Sequence, residues 1–485
     1  MNESYRRAGG YLLLVLSLSM PRCGSSGPGI STGVSPIVDA VTVTANPNNV
    51  LSAVVTASVR DADKLRISYQ AQGSTAVSST PEVVISSPET ITLPVFGLRP
   101  ETSYSLWVTA LTTGGKSTDS PQLSLQTGSL PTYLPVFSVE RPGNPQPGYT
   151  MVAWTATNFG TAPDLFGDQN AALIVDQNGQ VAWYKELPGH VVLDWQRQPD
   201  GNYTAAADQA VPWTTESYRQ FDKLGNQLRT WSVPGDIWID DHELRVLPNG
   251  DALFFATNAR TMDLTNYGGQ PDTLVLGNLL IRVSSSDQLV FQWDAFDHLP
   301  AIDDLDPLID LTGDNVDWTH GNAIDVTADG NYLMSFRNIS QVVKIDSRSG
   351  AVLWKLGGSD GDFTFLDDPL HGFSLQHGIR ELPNGNLLLF DNGANHQPPQ
   401  SRAVEYQLDL NARTARKVWQ YDADPPLFAF AMGFAQRLEN GHTLVTYGIL
   451  PYVREVNHAG ELQWSLQPAQ QPGIIYRSFK IASLY

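Results

Sequence analysis

Three features of the sequence predict an all-β chain, with a small β-sandwich followed by a six-bladed β-propeller. Charged residues make up only 16% of the 485 residues, against about 25% in an average domain. Turn formers are plentiful, with 40 Gly and 32 Pro, as suits many short strands. Beyond residue 148 an Asp/Asn-Gly turn and a strand-ending Trp recur with a period of 45–65 residues, the signature of a radial repeat. This composition argues against a coiled coil, a helical bundle or a disordered tail. A net charge of −20 excludes the basic footprint of a nucleic-acid binder. With a single Cys, an intramolecular disulfide and a Cys-based zinc site are both impossible.

Residues 1–23 read as an export signal. Arg6 and Arg7 precede an apolar run from Tyr11 to Met20, followed by Pro21, Arg22 and Cys23. A basic start, a short apolar stretch and a break are the parts of a secretory signal. The run is shorter than the ~20 residues of a membrane-spanning helix. A lone Cys directly behind it resembles the acylated residue of a bacterial lipoprotein, although Met20-Pro21-Arg22 departs from the small residues of that motif. The chain is therefore expected to be exported, to the periplasm or to the outer membrane or cell surface through lipid on Cys23. Residues 24–34, rich in Gly and Ser, read as a flexible tether.

Residues 35–128 alternate apolar and polar positions over Val41–Thr44, Ala53–Val59, Leu65–Tyr69, Glu89–Leu93 and Tyr104–Ala110. About seven short strands in this span predict a β-sandwich. The stretch Leu98–Trp107 resembles the tyrosine corner of fibronectin type III domains, in which a Tyr hydroxyl ties back to the backbone. Tyr104 and Trp107 are expected in the core, and the domain is expected to act as a spacer or docking module. A Pro-rich linker follows over residues 129–148.

The propeller is expected over residues 149–485. Its hairpin turns are Asp200-Gly201, Asn249-Gly250, Asp329-Gly330, Asn384-Gly385 and Asn440-Gly441, each predicting a two-residue type I′ turn. Trp183, Trp231, Trp293, Trp354, Trp419 and Trp464 end the six units and are expected as core at the blade edges. The segment Ile474–Ile481 is expected to pair with the first blade and seal the ring.

Register then selects a site. The position eight residues before each hairpin glycine falls at Leu193, His242, Asn322, His377 and Gly433. In a propeller this is the channel-facing start of the first strand of each blade. His320 lies two residues before Asn322, so both point to one face. Two-residue turns would set Asn322 opposite Arg337, His377 opposite Asn392 and His242 opposite Thr257. Partners across a hairpin share a face, which brings three imidazoles and one guanidinium to one mouth of the channel. A neutral His can act as nucleophile or proton carrier near pH 7. Arg presents a planar fork to a sulfate- or phosphate-like face. Asp241 and Glu243 lie nearby, but no two-carboxylate set for a hard metal is evident, and no metal or cofactor is expected.

The segment Asp317–Asp325 with Gly330–Arg337, Lys344–Asp346 and Gly350–Gly358 resembles the bacterial arylsulfate sulfotransferase family, which uses no nucleotide sulfate donor. So does Leu375–His377 with Gly385–Gly393 and Ser401–Tyr406. The likeness runs through about residues 150–485. It implies an exported six-bladed propeller behind a small β domain, and ping-pong transfer of a sulfuryl group from a phenolic sulfate donor to a phenol acceptor. On this resemblance His377 is the nucleophile that becomes a sulfohistidine. Arg337 and His320 hold the sulfuryl oxygens, and His242 exchanges the proton with the phenol. Asn322 orients the anion or His320, and Asn392 joins it in substrate binding. The roles of His320 and His242 are exchangeable, and the family's last-blade residue has no counterpart in Ala429–Gly433. An aryl sulfate hydrolase at the same site, or a non-catalytic exported propeller used for binding or adhesion, stays open. The expected partners are small molecules, with no nucleic acid, the membrane only through a lipid anchor, and a homodimer allowed.

Overall fold

The computed structural model describes residues 34–86, 88–157, 169–209, 218–231, 233, 237–299, 305–470 and 472–485. The export signal, Cys23 and all but the last residue of the tether lie outside the described residues. The chain is all-β; its longest helix among the described residues is the single turn Ala295–His298. No helix of the described residues is long and apolar enough to cross a membrane.

Residues 37–126 form two antiparallel sheets. One contains Ile37–Ala45, Ala53–Arg60 and Glu89–Val95; the other is built on Lys64–Ala71 and Ser103–Leu111. Alternation in Ala53–Arg60 buries every second residue, and Val55, Val59, Ile67, Leu106 and Val108 fill the space between the sheets. The Arg99 N–H donates to the Tyr104 hydroxyl at 2.8 Å, the backbone tie expected of that tyrosine. Trp107 departs from expectation: it is only half-buried, because it points away from the face carried by Leu106 and Val108. One end of this unit is fastened to the C-terminal sheets. Asn49 donates to the Tyr184 carbonyl at 2.9 Å, Arg99 pairs with Asp176 at 2.7 Å, and the Phe96 N–H donates to the Tyr485 hydroxyl at 3.1 Å.

Six sheets make up the rest, each built on four antiparallel strands that are consecutive in the chain in all but the first, and three of them carry a fifth strand. Their first strands are His190–Arg197, Trp238–Val246, Gly321–Val326, His377–Glu381, Phe434–Arg437 and, out of chain order, Gly473–Ile481. The last of these pairs with Tyr149–Ala156, so the C-terminal strand completes the first sheet. Neighbouring first strands lie side by side, and the series returns to Gly473–Ile481. The segment 129–148 is more than a linker. Phe137–Glu140 pairs with Leu462–Pro468 as an extra strand of the sixth sheet, because Phe137 and Val139 have an apolar cluster to pack on.

The six unit-ending tryptophans are all buried. Four of them also bridge sheets. Trp183 Nε1 donates to the Lys223 carbonyl, Trp293 to Gly350, Trp419 to His458 and Trp464 to Gln177, at 2.8–3.0 Å. Each acceptor lies in the outer turn of the next sheet, and the bond from Trp464 joins the sixth sheet to the first. Such a buried donor, left unpaired, would cost about 1–3 kcal/mol, so these bonds hold the relative positions of adjacent sheets.

The hairpin turns correct the expected register. At Thr327–Asn331 the chain closes through Asn331 O to Thr327 N–H at 3.0 Å and Thr327 O to Gly330 N–H at 2.8 Å. Gly330 has φ +80°, while Asp329 is not left-handed. This is a three-residue loop built on a type I turn with glycine in the left-handed region, not a two-residue type I′ turn. The extra loop residue slips the pairing by one, so that Ile324 faces Met334. A β-bulge then sets Asn322 outside the ladder. Arg337 therefore lies across from His320, to whose carbonyl its N–H donates at 3.1 Å, and not across from Asn322. His377 pairs with Phe390 rather than Asn392, and Thr257 with Trp238 rather than His242.

Candidate active site

Bulges interrupt the first strands of the second to fifth sheets near the same end. A bulge re-aims side chains that a regular pleat would send to alternate faces. Between Ile239 and Leu244 it releases Asp240, Asp241 and His242 from the ladder. His320 stands just before its strand at φ +50°, a conformation that costs a non-glycine residue on the order of 1–3 kcal/mol. His377 is followed by Gly378 at φ +70°, where a Cβ would come within 2.6 Å of the Phe434 ring; only glycine fits there.

These turns bring the three imidazoles together despite the altered register. The His242 and His320 ring centroids are 4.6 Å apart, and those of His320 and His377 are 6.4 Å apart. Arg337 completes the group. Its Nη1 donates to Asn338 Oδ1 at 2.6 Å and its Nη2 to the Phe430 carbonyl at 3.1 Å. Its Nε is buried with no partner among the described residues, which leaves a donor for an anion.

The two asparagines do not open onto the cluster; both are fully buried. Asn322 donates to the Gln376 carbonyl at 2.8 Å and accepts from the Gly378 N–H at 3.2 Å, clasping the main chain on both sides of His377. Asn392 donates to the carbonyls of Ala429 and Met432 at 2.7 and 2.9 Å. Its Oδ1 can then only accept, so the 2.7 Å contact with His377 Nδ1 requires the proton on Nδ1. His377 Nε2 consequently carries the lone pair. The Met432 N–H points at it from 3.2 Å.

Electrostatics separate the histidines. Burial pushes the His377 imidazolium well below its ordinary value, and the charges of Arg337 and His320 add to that; the ring is neutral at pH 7. Burial also opposes charge on His242. Asp240 more than offsets it through its charge and a 2.7 Å hydrogen bond to Nδ1, and with Asp241 and Asp317 raises the value to about 9. His320 Nδ1 is paired with Asp317, which reaches it because Asn315–Asp317 adds in parallel to Thr273–Val283.

A cavity of about 220 Å³ adjoins His242 and His320, walled by Trp238, Thr257, Leu276 and Asp317. It is smaller than the ~300–1,000 Å³ that accommodates a drug-sized ligand. Asp240, Asp241 and His242 bring their ligand atoms within 4.8 Å of one another, a carboxylate pair that the strand pattern did not reveal. Asp240 is already bound to His242 and to Asn278. Glu243 points away from the cluster, to Arg380 and Arg477.

Sequence reasoning passed over Asp240, Asp317 and the main chain of Ala429–Met432. The i−3 spacing of Asp317 from His320 was a usable signal. The peptide groups of 429–432 left none, since a backbone donor has no residue type.

The arylsulfotransferase (ASST) family model matches residues 155–468, well over half of the chain. No curated protein matches. Among solved structures, a protein of unknown function from Bacteroides caccae is 14% identical, covering 66% of this chain and 93% of its own, with a TM-score of 0.40. A streptogramin B lyase is 12% identical over 69% of this chain and 89% of its own, with a TM-score of 0.37. A virginiamycin B lyase from Staphylococcus aureus is 13% identical over 68% and 99%, with a TM-score of 0.31. The family match spans all the clustered histidines and Arg337, and the chain belongs to the arylsulfotransferase family.

Proposed function

We propose that this chain moves a sulfuryl group from an aryl sulfate ester to a phenol through a sulfohistidine on His377, within a six-bladed propeller. The observation that carries this reading is the fixed tautomer of His377, a neutral ring with its lone pair on Nε2 beside a guanidinium that has a free buried donor.

In the first half-reaction, Nε2 gives up the hydrogen bond from the Met432 N–H and attacks sulfur, and the bond from sulfur to the aryl oxygen breaks. The leaving oxygen takes a proton from the His242 imidazolium, and the phenol departs. The Nδ1–H of the sulfated ring stays on Asn392, which supports the positive charge that the ring acquires. Arg337 and His320 stabilise the sulfuryl oxygens as they gather charge. In the second half-reaction, neutral His242 removes the proton of an acceptor phenol. The phenolate attacks sulfur, the N–S bond breaks, and both histidines return to their starting states. The cavity beside His242 and His320 is read as the seat of the aryl group.

The sandwich is read as a fibronectin type III-like spacer, and the whole as an exported protein anchored through Cys23. Incubation with a chromogenic aryl sulfate, with and without a phenol, tests the reaction. Release of the chromophore should accelerate with the phenol, and the sulfated acceptor should accumulate. Steady donor cleavage indifferent to the phenol would identify a hydrolase instead.

A further inference from the structure

We propose that Tyr476 and Arg477, on the C-terminal strand that completes the first sheet, are positioning residues for sulfuryl transfer and hold His242 and His377 in place. The inference rests on that reaction and extends it to two residues outside the cluster.

Consecutive residues of a regular strand point to opposite faces, so a Tyr-Arg pair should not serve one site. Here the ladder is irregular. Val152 faces Ser478 and Trp154 faces Ile475, which leaves Tyr476 and Arg477 opposite Ala153 alone. The bulge turns both side chains to the same side, where Arg477 Nη2 donates to the Tyr476 hydroxyl at 3.2 Å. Both residues are buried.

From this point the pair reaches three other sheets. The Tyr476 hydroxyl donates to the His242 carbonyl at 3.1 Å, and its ring lies 6.0 Å from the imidazole, edge to face. Arg477 Nη1 meets Asp194 at 3.0 Å and Glu243, next to His242, at 3.1 Å. Its Nη2 donates to the Asn322 carbonyl. Asn322 in turn clasps the peptides on both sides of His377. Glu243 also accepts from the Ile324 N–H at 2.9 Å and pairs with Arg380. The strands bearing the proton carrier and the nucleophile are thus fastened to one bulge.

A buried guanidinium is costly unless its hydrogen bonds are met, and packed apolar residues would often be at least as stabilising. What charged groups add is a single geometry, because only one arrangement satisfies them all. Deleting the arginine would strand Asp194 and Glu243, so the test uses conservative variants. Tyr476→Phe keeps the ring, and Arg477→Lys keeps the charge while losing the planar fork.

Turnover is measured against aryl sulfates whose phenols differ in acidity. Tyr476→Phe should lower kcat/KM for the donor, which reports the first half-reaction alone, about tenfold for poor leaving groups and less than twofold for a nitrophenyl sulfate. Only poor leaving groups depend on the proton from His242. Arg477→Lys should slow formation of the sulfated enzyme about tenfold for every donor. Without substrate, ring ¹⁵N resonances of His377 should shift or broaden in Arg477→Lys as the clasp of Asn322 loosens, while the Nδ1–H tautomer set by Asn392 is kept. A uniform fall in donor kcat/KM across donors for Tyr476→Phe, or ring resonances unchanged in Arg477→Lys, would overturn the proposal. A parent chain inactive on every aryl sulfate would instead overturn the reaction, and the ring resonances would still decide the role of Arg477.

Discussion

His377 and His242 lie in one cluster, yet their surroundings leave one neutral and the other cationic. His377 is walled by neutral amide groups and a guanidinium, so burial and repulsion keep it unprotonated. His242 stands against Asp240, with Asp241 and Asp317 nearby, and burial is overcome. On the proposed reaction, the same residue type serves as nucleophile in one place and as proton donor in the other. Pairs of groups whose environments push their proton affinities apart are how a single site runs both kinds of chemistry at one pH. The chain's net charge of −20 fits this division: carboxylates serve His242 and His320, while Arg337 keeps the nucleophile's side positive.

The contrast can be broken most severely at His377. Replacing it with Asn should reduce sulfuryl transfer by on the order of 10⁴-fold or more, as loss of a nucleophile does in other covalent enzymes; steady-state assay checks this. Removing His242 as Gln should cost about 10²–10⁴-fold, with the larger loss on the less acidic leaving phenols. The pH profile of a single variant sharpens the comparison further. On the proposed reaction the first half-reaction needs the His242 imidazolium, so kcat/KM for the donor should fall as pH rises past about 9. Asp240→Asn removes the strongest of the groups that raise this value and leaves burial opposed only by Asp241 and Asp317. The fall should then move to lower pH, and an unmoved alkaline limb would deny Asp240 its role. Asn392→Ala frees the His377 tautomer at the expense of one hydrogen bond, so kcat should drop about tenfold with the alkaline limb unchanged. The smallest effect lies outside the six sheets that carry the site. Tyr104→Phe leaves the Arg99 N–H without its acceptor and should lower stability by about 1 kcal/mol, seen in the denaturation midpoint, with kcat untouched.

Much of this arrangement was legible in the sequence, for identifiable reasons. Asp/Asn-Gly pairs and regularly spaced tryptophans are local signals, and the sheets track them closely. The His cluster was legible because equivalent positions of a repeat converge in space. The register was not. Gly330 takes the left-handed conformation alone, so the loop holds one residue more than Asp329-Gly330 suggested, and the pairing slips by one. Bulges beside His242, Asn322 and His377 then restored contacts that the slip would have broken. Bulges depend on what the neighbouring sheets offer, such as Asn278 receiving the Gly321 N–H, and leave no mark on a single strand's pattern. Asn322 and Asn392 were read as facing substrate because polar residues near a site invite that reading. Full burial makes them supports of His377 instead. The strand Phe137–Glu140 was hidden by its Pro-rich flanks.

The central claim is that sulfate rests covalently on His377 between donor and acceptor. Mixing the protein with a ³⁵S-labelled aryl sulfate, without phenol, and mapping the label after rapid quenching tests it directly. The account predicts stoichiometric label on the peptide containing His377, discharged when a phenol is added and absent from His377→Asn. Transfer to phenol with no labelled protein at any time, or undiminished label in His377→Asn, would contradict it.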